Sequence, residues 1–152
     1  MSNNGNEAGG VFRHRFAVPA EAADQNGHVN NVVYVQWMQD TAIRHADACG
    51  GTEAARTAGG AWLVRSHKVE YLSPAYPGDG IEAATWVAWF HRTRSLRQYR
   101  FTRVADGKLI VKGETEWVFV NTAAGRPVAV PESVKSCFPA VPHQNVPREN
   151  RP

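Results

Sequence analysis

One long helical pattern, with strand-like segments before and after it, most limits what this chain can fold into. Apolar residues recur at helical spacing through residues 31–48, while glutamine and aspartate occupy most of the opposite side. Asn30 or Asn31 can cap the start of this helix, and Gly50-Gly51 ends it. The predicted core positions are Val35, Met38, Ala42 and Ala46.

Strand patterns account for most of the remaining chain. Residues 12–18 alternate as a first strand, and Asp106-Gly107 predicts a tight hairpin between two later ones. A single strand, a buried helix and a run of further strands form an α+β order, in which a curved antiparallel sheet can wrap the helix. Four later segments are rich in β-branched and aromatic residues, at about 61–73, 80–91, 95–105 and 108–121.

The length of 152 residues predicts one domain. We expect a disordered N-terminus over residues 1–10, a folded domain over 11–138 and a disordered, proline-rich tail over 139–152. The sequence has no secretory signal pattern at its start and no apolar run near the ~20 residues that span a bilayer, so we expect a cytoplasmic protein without membrane association.

The formal charge of +3 comes from basic residues that are mixed with acidic ones. Proteins that bind nucleic acid usually cluster their basic residues instead, so we expect no nucleic-acid partner.

A polar segment, Asp24-Gln25-Asn26-Gly27-His28-Val29-Asn30-Asn31, immediately precedes the helix. These residue types also form ordinary turns and helix caps, which is the structural explanation for them. A calcium loop is excluded because its twelfth position, Val35, cannot be a ligand. No serine-hydrolase elbow and no zinc-binding histidine pair occurs either. We therefore expect no metal and no cofactor.

Together with Tyr34, this segment resembles the hotdog-fold acyl-CoA thioesterases of the hydroxybenzoyl-CoA thioesterase-like group. Their characteristic motif is an Asp followed by Gly-His-Val-Asn-Asn and then Tyr, and it leads into the central helix. The resemblance continues through residues 69–75 and the Gly78-Asp79 turn and covers about residues 12–138. It implies a hotdog fold, a long central helix wrapped by a curved sheet of about five strands. The same segment is also similar to plant acyl-carrier-protein thioesterases in its Asp, Asn and His.

The resemblance implies a role for each residue of the segment. Asp24 is expected to act as a general base on water or to attack the thioester carbonyl itself. The backbone N–H of Asn31 is expected to hold the oxyanion, with Asn26 and His28 orienting groups beside it. Gly27 and Tyr34 are expected at the substrate.

Arg92, Arg94 and Ser95, with Arg97 nearby, form a basic stretch between two predicted strands. It can bind the phosphates of coenzyme A, or it can be ordinary solvated charge at a turn.

Three other activities remain beside hydrolysis of an acyl-CoA. They are hydrolysis of an acyl-carrier-protein thioester, non-catalytic binding of an acyl thioester and, ranked last, a hydratase or dehydratase reaction. The resemblance also implies a homodimer or homotetramer with the acyl tunnel between subunits.

Overall fold

The computed structural model describes the backbone of residues 5–6 and the whole of residues 9–148. Its longest helix is followed by a short one and then by four long strands, in the predicted order. The strands are β1 (Gly5–Asn6), β2 (Phe12–Ala17), β3 (Gly60–Tyr71), β4 (Gly80–His91), β5 (Arg94–Arg103), β6 (Leu109–Asn121) and β7 (Arg126–Pro127). The α-helices are α1 (Asn31–Cys49), α2 (Gly51–Thr57) and α3 (Glu132–Lys135), and short 3-10 turns cover Ala20–Ala22 and His143–Asn145.

All strands join one antiparallel sheet in the order β1-β2-β4-β5-β6-β3, with β7 paired to β6. Register shifts in β3 after Val64, in β4 after Val87 and in β6 at Ile110, opposite Phe101 and Thr102 of β5, mark bulges or irregularities. Such irregularities bend strands, so this sheet can curl around α1. The predicted α+β hotdog architecture is therefore confirmed. Its sheet has five longer strands, β2 to β6, and the two-residue strands β1 and β7.

Helix α1 packs its buried face into the concave side of the sheet. Its Tyr34, Trp37 and Met38 share one core cluster with Phe101 and Ile110. The cluster forms because these helix positions lie one turn apart and so face the same strands. Glycine at position 113 of β6 leaves room for the helix, since a Cβ there would lie 2.9 Å from Met38 Sδ.

The buried face of α1 differs from the predicted one at two places. Thr41 and His45 are fully buried, whereas Val35 and Ala46 are only half-buried. A search for apolar residues passes over Thr41 and His45 although they continue the spacing from Tyr34 and Met38. Both polar side chains have hydrogen-bonding partners in the interior.

Residues 51–57 form α2, a second helix that begins within the glycine pair predicted to end the first one. Gly50 ends α1 in the left-handed conformation, with φ of 84°, and the chain then starts a new helix. Ala55 of α2 packs with Phe119, Val134 and Phe138 in a second core cluster.

Parts of both segments that were predicted to be disordered lie against the domain in the structure. Gly5–Asn6 pair with β2, and Val141 is buried beside Val11 and Trp86. The Val141 N–H donates to the Val87 carbonyl at 2.9 Å. The prolines of this segment do not prevent packing because the apolar Val141 reaches the sheet. Residues 1–4, 7–8 and 149–152 lie outside the described residues. Among the described helices, none combines the length and apolar character needed to cross a membrane.

Candidate active site at the start of the central helix

A closed loop presents Asp24 just before α1. The Asp24 N–H donates to the His28 carbonyl at 3.0 Å, and the Gly27 N–H donates to the Asp24 carbonyl at 2.9 Å. Gly27 has φ of 83°, a conformation that favours glycine, and this residue lets the chain reverse within so few positions. Hydrogen bonds from Val29 N–H to Ala75 O and from Asn30 N–H to Ala22 O then attach the loop to the body of the domain.

The Asp24 carboxylate is half-buried and is oriented by its own loop. Its Oδ1 accepts the Asn26 N–H at 2.8 Å. No hydrogen bond to Oδ2 is found within the described part of the chain, so that oxygen has capacity for a water or substrate. The loop is thus also an ordinary Asp turn, and the turn is what aims the carboxylate.

The first turn of α1 provides backbone donors next to this loop. Asn30 caps the helix, with its side-chain oxygen accepting the Val32 N–H at 3.0 Å. The Asn31 N–H has no acceptor among residues 9–148, as expected for the first residue of a helix. The Tyr71 hydroxyl donates to the Asn31 carbonyl at 3.0 Å and so attaches the end of β3 to the helix start. Free donors and the helix dipole together favour a negative charge here.

The other predicted residues of the segment have distinct surroundings. His28 is half-buried with its ring 6.4 Å from that of Tyr76, and the side chain of Asn26 is exposed. Tyr34 lies in the core, 2% exposed, with its ring 5.1 Å from Trp37. Burial raises the pKa of Tyr34, so its hydroxyl remains protonated at neutral pH. The Tyr34 ring therefore packs in the core cluster, and its contact with substrate stays a prediction.

The basic stretch does not form a single surface cluster. Arg92 is exposed in the β4–β5 hairpin with φ of 54°, and Arg94 pairs with Glu116 at 2.8 Å. Ser95 and Arg97 are buried and line a partly open cavity between α1, α2 and the sheet. Strand alternation explains the division, since successive side chains point to opposite faces of the sheet.

Two buried polar contacts were missed in the sequence. His14 Nε2 lies 3.0 Å from Thr41 Oγ1, and Arg97 Nη1 donates to His45 Nδ1 at 2.8 Å. Burial is the main cause that lowers the pKa of His14 to about 4 and of His45 to about 3; Arg44 and Arg97, respectively, lower them further. Helical spacing from Tyr34 was the signal that could have found His45. No group of three or more His, Cys, Asp or Glu side chains in the described ranges is placed to hold a metal ion.

Comparisons with known proteins agree with this architecture. Residues 18–138 match the sequence model of the thioesterase-like superfamily. A 1,4-dihydroxy-2-naphthoyl-CoA thioesterase from Synechocystis is similar in structure, with a TM-score of 0.76, 14% identity, and 84% of this chain and 95% of that chain covered. A protein from Staphylococcus aureus in complex with CoA has a TM-score of 0.78 at 20% identity, covering 97% of this chain and 94% of that one.

A curated sequence relative is the chloroplastic palmitoyl-acyl carrier protein thioesterase of Cuphea hookeriana. It is 25% identical over an alignment 137 residues long, and the alignment covers 83% of this chain and 32% of the relative. The chain thus spans about a third of the length of the curated relatives that it matches. Because the superfamily match extends over most of the sequence and the fold is that of hotdog thioesterases, the chain belongs to the thioesterase-like superfamily.

Proposed function

We propose that the protein hydrolyses an acyl thioester to a free acid and a thiol, with Asp24 as the essential carboxylate. The observation that carries this proposal is the position of Asp24, half-buried in a closed loop that leads into a helix whose first N–H has no acceptor among residues 9–148. Thioester hydrolysis needs an activated oxygen nucleophile and donors for the oxyanion, and these are the two groups that the loop and the helix start supply.

Two routes fit this arrangement. In the first, Asp24 takes a proton from water while the water oxygen bonds to the acyl carbon; the C–S bond then breaks and the leaving thiolate takes up a proton. In the second, an Asp24 oxygen attacks the acyl carbon and expels the thiolate, and water then hydrolyses the resulting anhydride. In both routes the Asn31 N–H holds the oxyanion.

Coenzyme A is the proposed carrier. The support comes from structural neighbours that are acyl-CoA thioesterases or were solved with CoA, and from the exposed Arg92 at a hairpin. The Cuphea relative favours acyl carrier protein as the second candidate. An assay of thiol release from two thioesters with the same acyl group, one on CoA and one on acyl carrier protein, distinguishes these two carriers. Faster turnover on CoA is expected, the reverse would favour the carrier protein, and binding without turnover on either would make the protein a non-catalytic binder.

We propose a homodimer formed through β3. This strand is the last in the sheet order, and its Leu63 and Val64 are exposed. An unpaired apolar edge is normally covered in a stable protein. In an antiparallel two-fold pairing of β3 with its copy, the Gly60 end of one strand meets the Tyr71 end of the other. The Tyr71 hydroxyl is hydrogen-bonded to the Asn31 carbonyl, so the Asp24 loop of each protomer would then lie beside the Gly60 end of the partner's β3.

A further inference from the structure

A cavity of about 490 Å³ lies at the far end of α1 from Asp24. It opens to the surface between the C-terminal half of α1, α2 and the sheet, and its walls include Trp62, Phe90 and Phe138. Its volume falls within the ~300–1,000 Å³ of small-molecule sites, which are mostly apolar with a few placed polar groups. From Asn31 to Ala46, α1 rises about 22 Å, so the cavity is not part of the loop site of the same chain.

The polar group that stands out on this wall is Arg97. It is 5% exposed, and its Nη1 donates to His45 Nδ1 at 2.8 Å and to Thr85 Oγ1 at 3.1 Å. Its guanidinium carbon lies 5.4 Å from the ring centre of Phe138. All three partners are uncharged. His45 is neutral because its Nδ1 accepts a hydrogen bond from the guanidinium and therefore carries no proton.

Within the described part of the chain, no carboxylate pairs with this buried charge. Arg97 takes part in none of the ion pairs among residues 9–148. The acidic residue of the cavity, Asp47, is exposed and accepts the Thr52 hydroxyl at 2.6 Å, and Arg56 at the same end pairs with Glu53. A buried ion without a counter-charge is energetically costly. An anionic ligand in the cavity would supply the missing charge, and the hydrogen bonds that it forms with a guanidinium are strong ones.

We infer that the cavity binds a carboxylate on an apolar body, with the carboxylate at Arg97 and the hydrocarbon or aromatic part against Trp62 and Phe90. Two sources have this chemistry. One is a free carboxylic acid. The other is the far end of an acyl group that carries a second carboxylate and is held by the partner's Asp24 loop, which the proposed β3 dimer would bring to the Gly60 side of this cavity. This second source rests on the proposed function, whereas the binding chemistry does not.

The test uses the full chain and a matched pair of probes, octanoate and 1-octanol. Titration calorimetry at neutral pH should give at least tenfold tighter binding of octanoate. Arg97→Met should abolish that preference while retaining the binding of octanol, and Arg126→Met, at an exposed position, should change neither. Ala61→Phe, which fills the cavity from β3, should weaken both probes even if Arg97→Met does not fold. Equal affinities for the two probes in the native chain, or unchanged octanoate binding in Ala61→Phe, would overturn the inference.

Turnover then separates the two sources. If the cavity holds the end of the substrate, decanoyl-CoA with a terminal carboxylate should have a kcat/KM at least tenfold above plain decanoyl-CoA, and Arg97→Met should remove the difference. If the ligand is a free acid, octanoate still binds but the two thioesters react alike. Octanoate binding with no turnover of any thioester would leave this inference standing while contradicting the proposed function.

Discussion

Asp24 and Asp106 make the same local contact, in which a carboxylate oxygen accepts the N–H two residues ahead. Asp106 is exposed and held by Arg103, whereas Asp24 is half-buried beside the start of α1. The turn geometry alone therefore does not distinguish the two carboxylates, whereas their surroundings do. The sequence singled out Asp24 because a whole motif surrounds it. The sequence did not predict that the Arg97 side chain is buried while Arg94 pairs with Glu116, because the side of the sheet on which each residue lies depends on the strand register.

The cap of α1 gives a prediction at a single residue. Asn30→Ala should lower the free energy of unfolding by about 1 kcal/mol, since the Val32 N–H loses its acceptor. Asn30→Asp keeps an acceptor and should remain near the native value in urea denaturation. An alanine variant as stable as the native protein would show that the cap contributes nothing.

The hairpin arginine tests the carrier. Arg92→Asn removes the charge but suits the left-handed backbone there, and it should raise KM for an acyl-CoA two- to fivefold, because an exposed charge contact contributes about 0.2–1 kcal/mol. Turnover number should stay constant, and Arg92→Lys should behave as native. The same acyl group on pantetheine should be indifferent to the mutation. Equal effects on both substrates would place Arg92 in structural support instead.

At the scale of elements, the sequence predicted α1 and the long strands to within a few residues because their apolar periodicities are strong. It missed α2 because Gly50-Gly51 ends one helix but does not prevent another from starting. It also missed the packing of Val141, since the neighbouring prolines hid one buried valine in a polar segment. The polar side chains that are buried between α1 and the sheet were not predicted, because apolar periodicity does not identify buried polar residues.

That polar interior predicts how stability depends on pH. The pKa values of His14 and His45 are about 4 and 3 in the folded protein, against 6.5 ordinarily, so the unfolded chain binds more protons between these values. The contribution of these two histidines to the free energy of unfolding is therefore fully present above about pH 7. It decreases as the pH drops below 6.5, by up to about 1.4 kcal/mol per pH unit for each histidine. Urea denaturation from pH 7 to 5 should show this slope. His14→Gln should make it shallower, and an unchanged slope would contradict the assignment.

At the scale of the whole molecule, the fold and the superfamily followed from the sequence, while the assembly depends on surfaces that only the structure displays. Val64→Lys places a charge in the proposed β3 contact and should shift a dimer toward monomers at micromolar concentration in light scattering. Val104→Lys changes a similarly exposed valine away from β3 and should have no effect. A native protein that is already monomeric under these conditions would contradict the proposed dimer.

The central claim, that Asp24 carries out thioester hydrolysis, is tested most directly by the turnover number of Asp24→Asn beside Asp106→Asn. Both substitutions keep an oxygen that can accept the N–H two residues ahead, so both turns should persist. On an acyl thioester that the native protein hydrolyses, Asp24→Asn should reduce kcat by roughly 10²–10⁴-fold, the usual contribution of a positioned base, and Asp106→Asn should leave it unchanged. A folded Asp24→Asn variant with kcat within a few-fold of the native value would contradict the account.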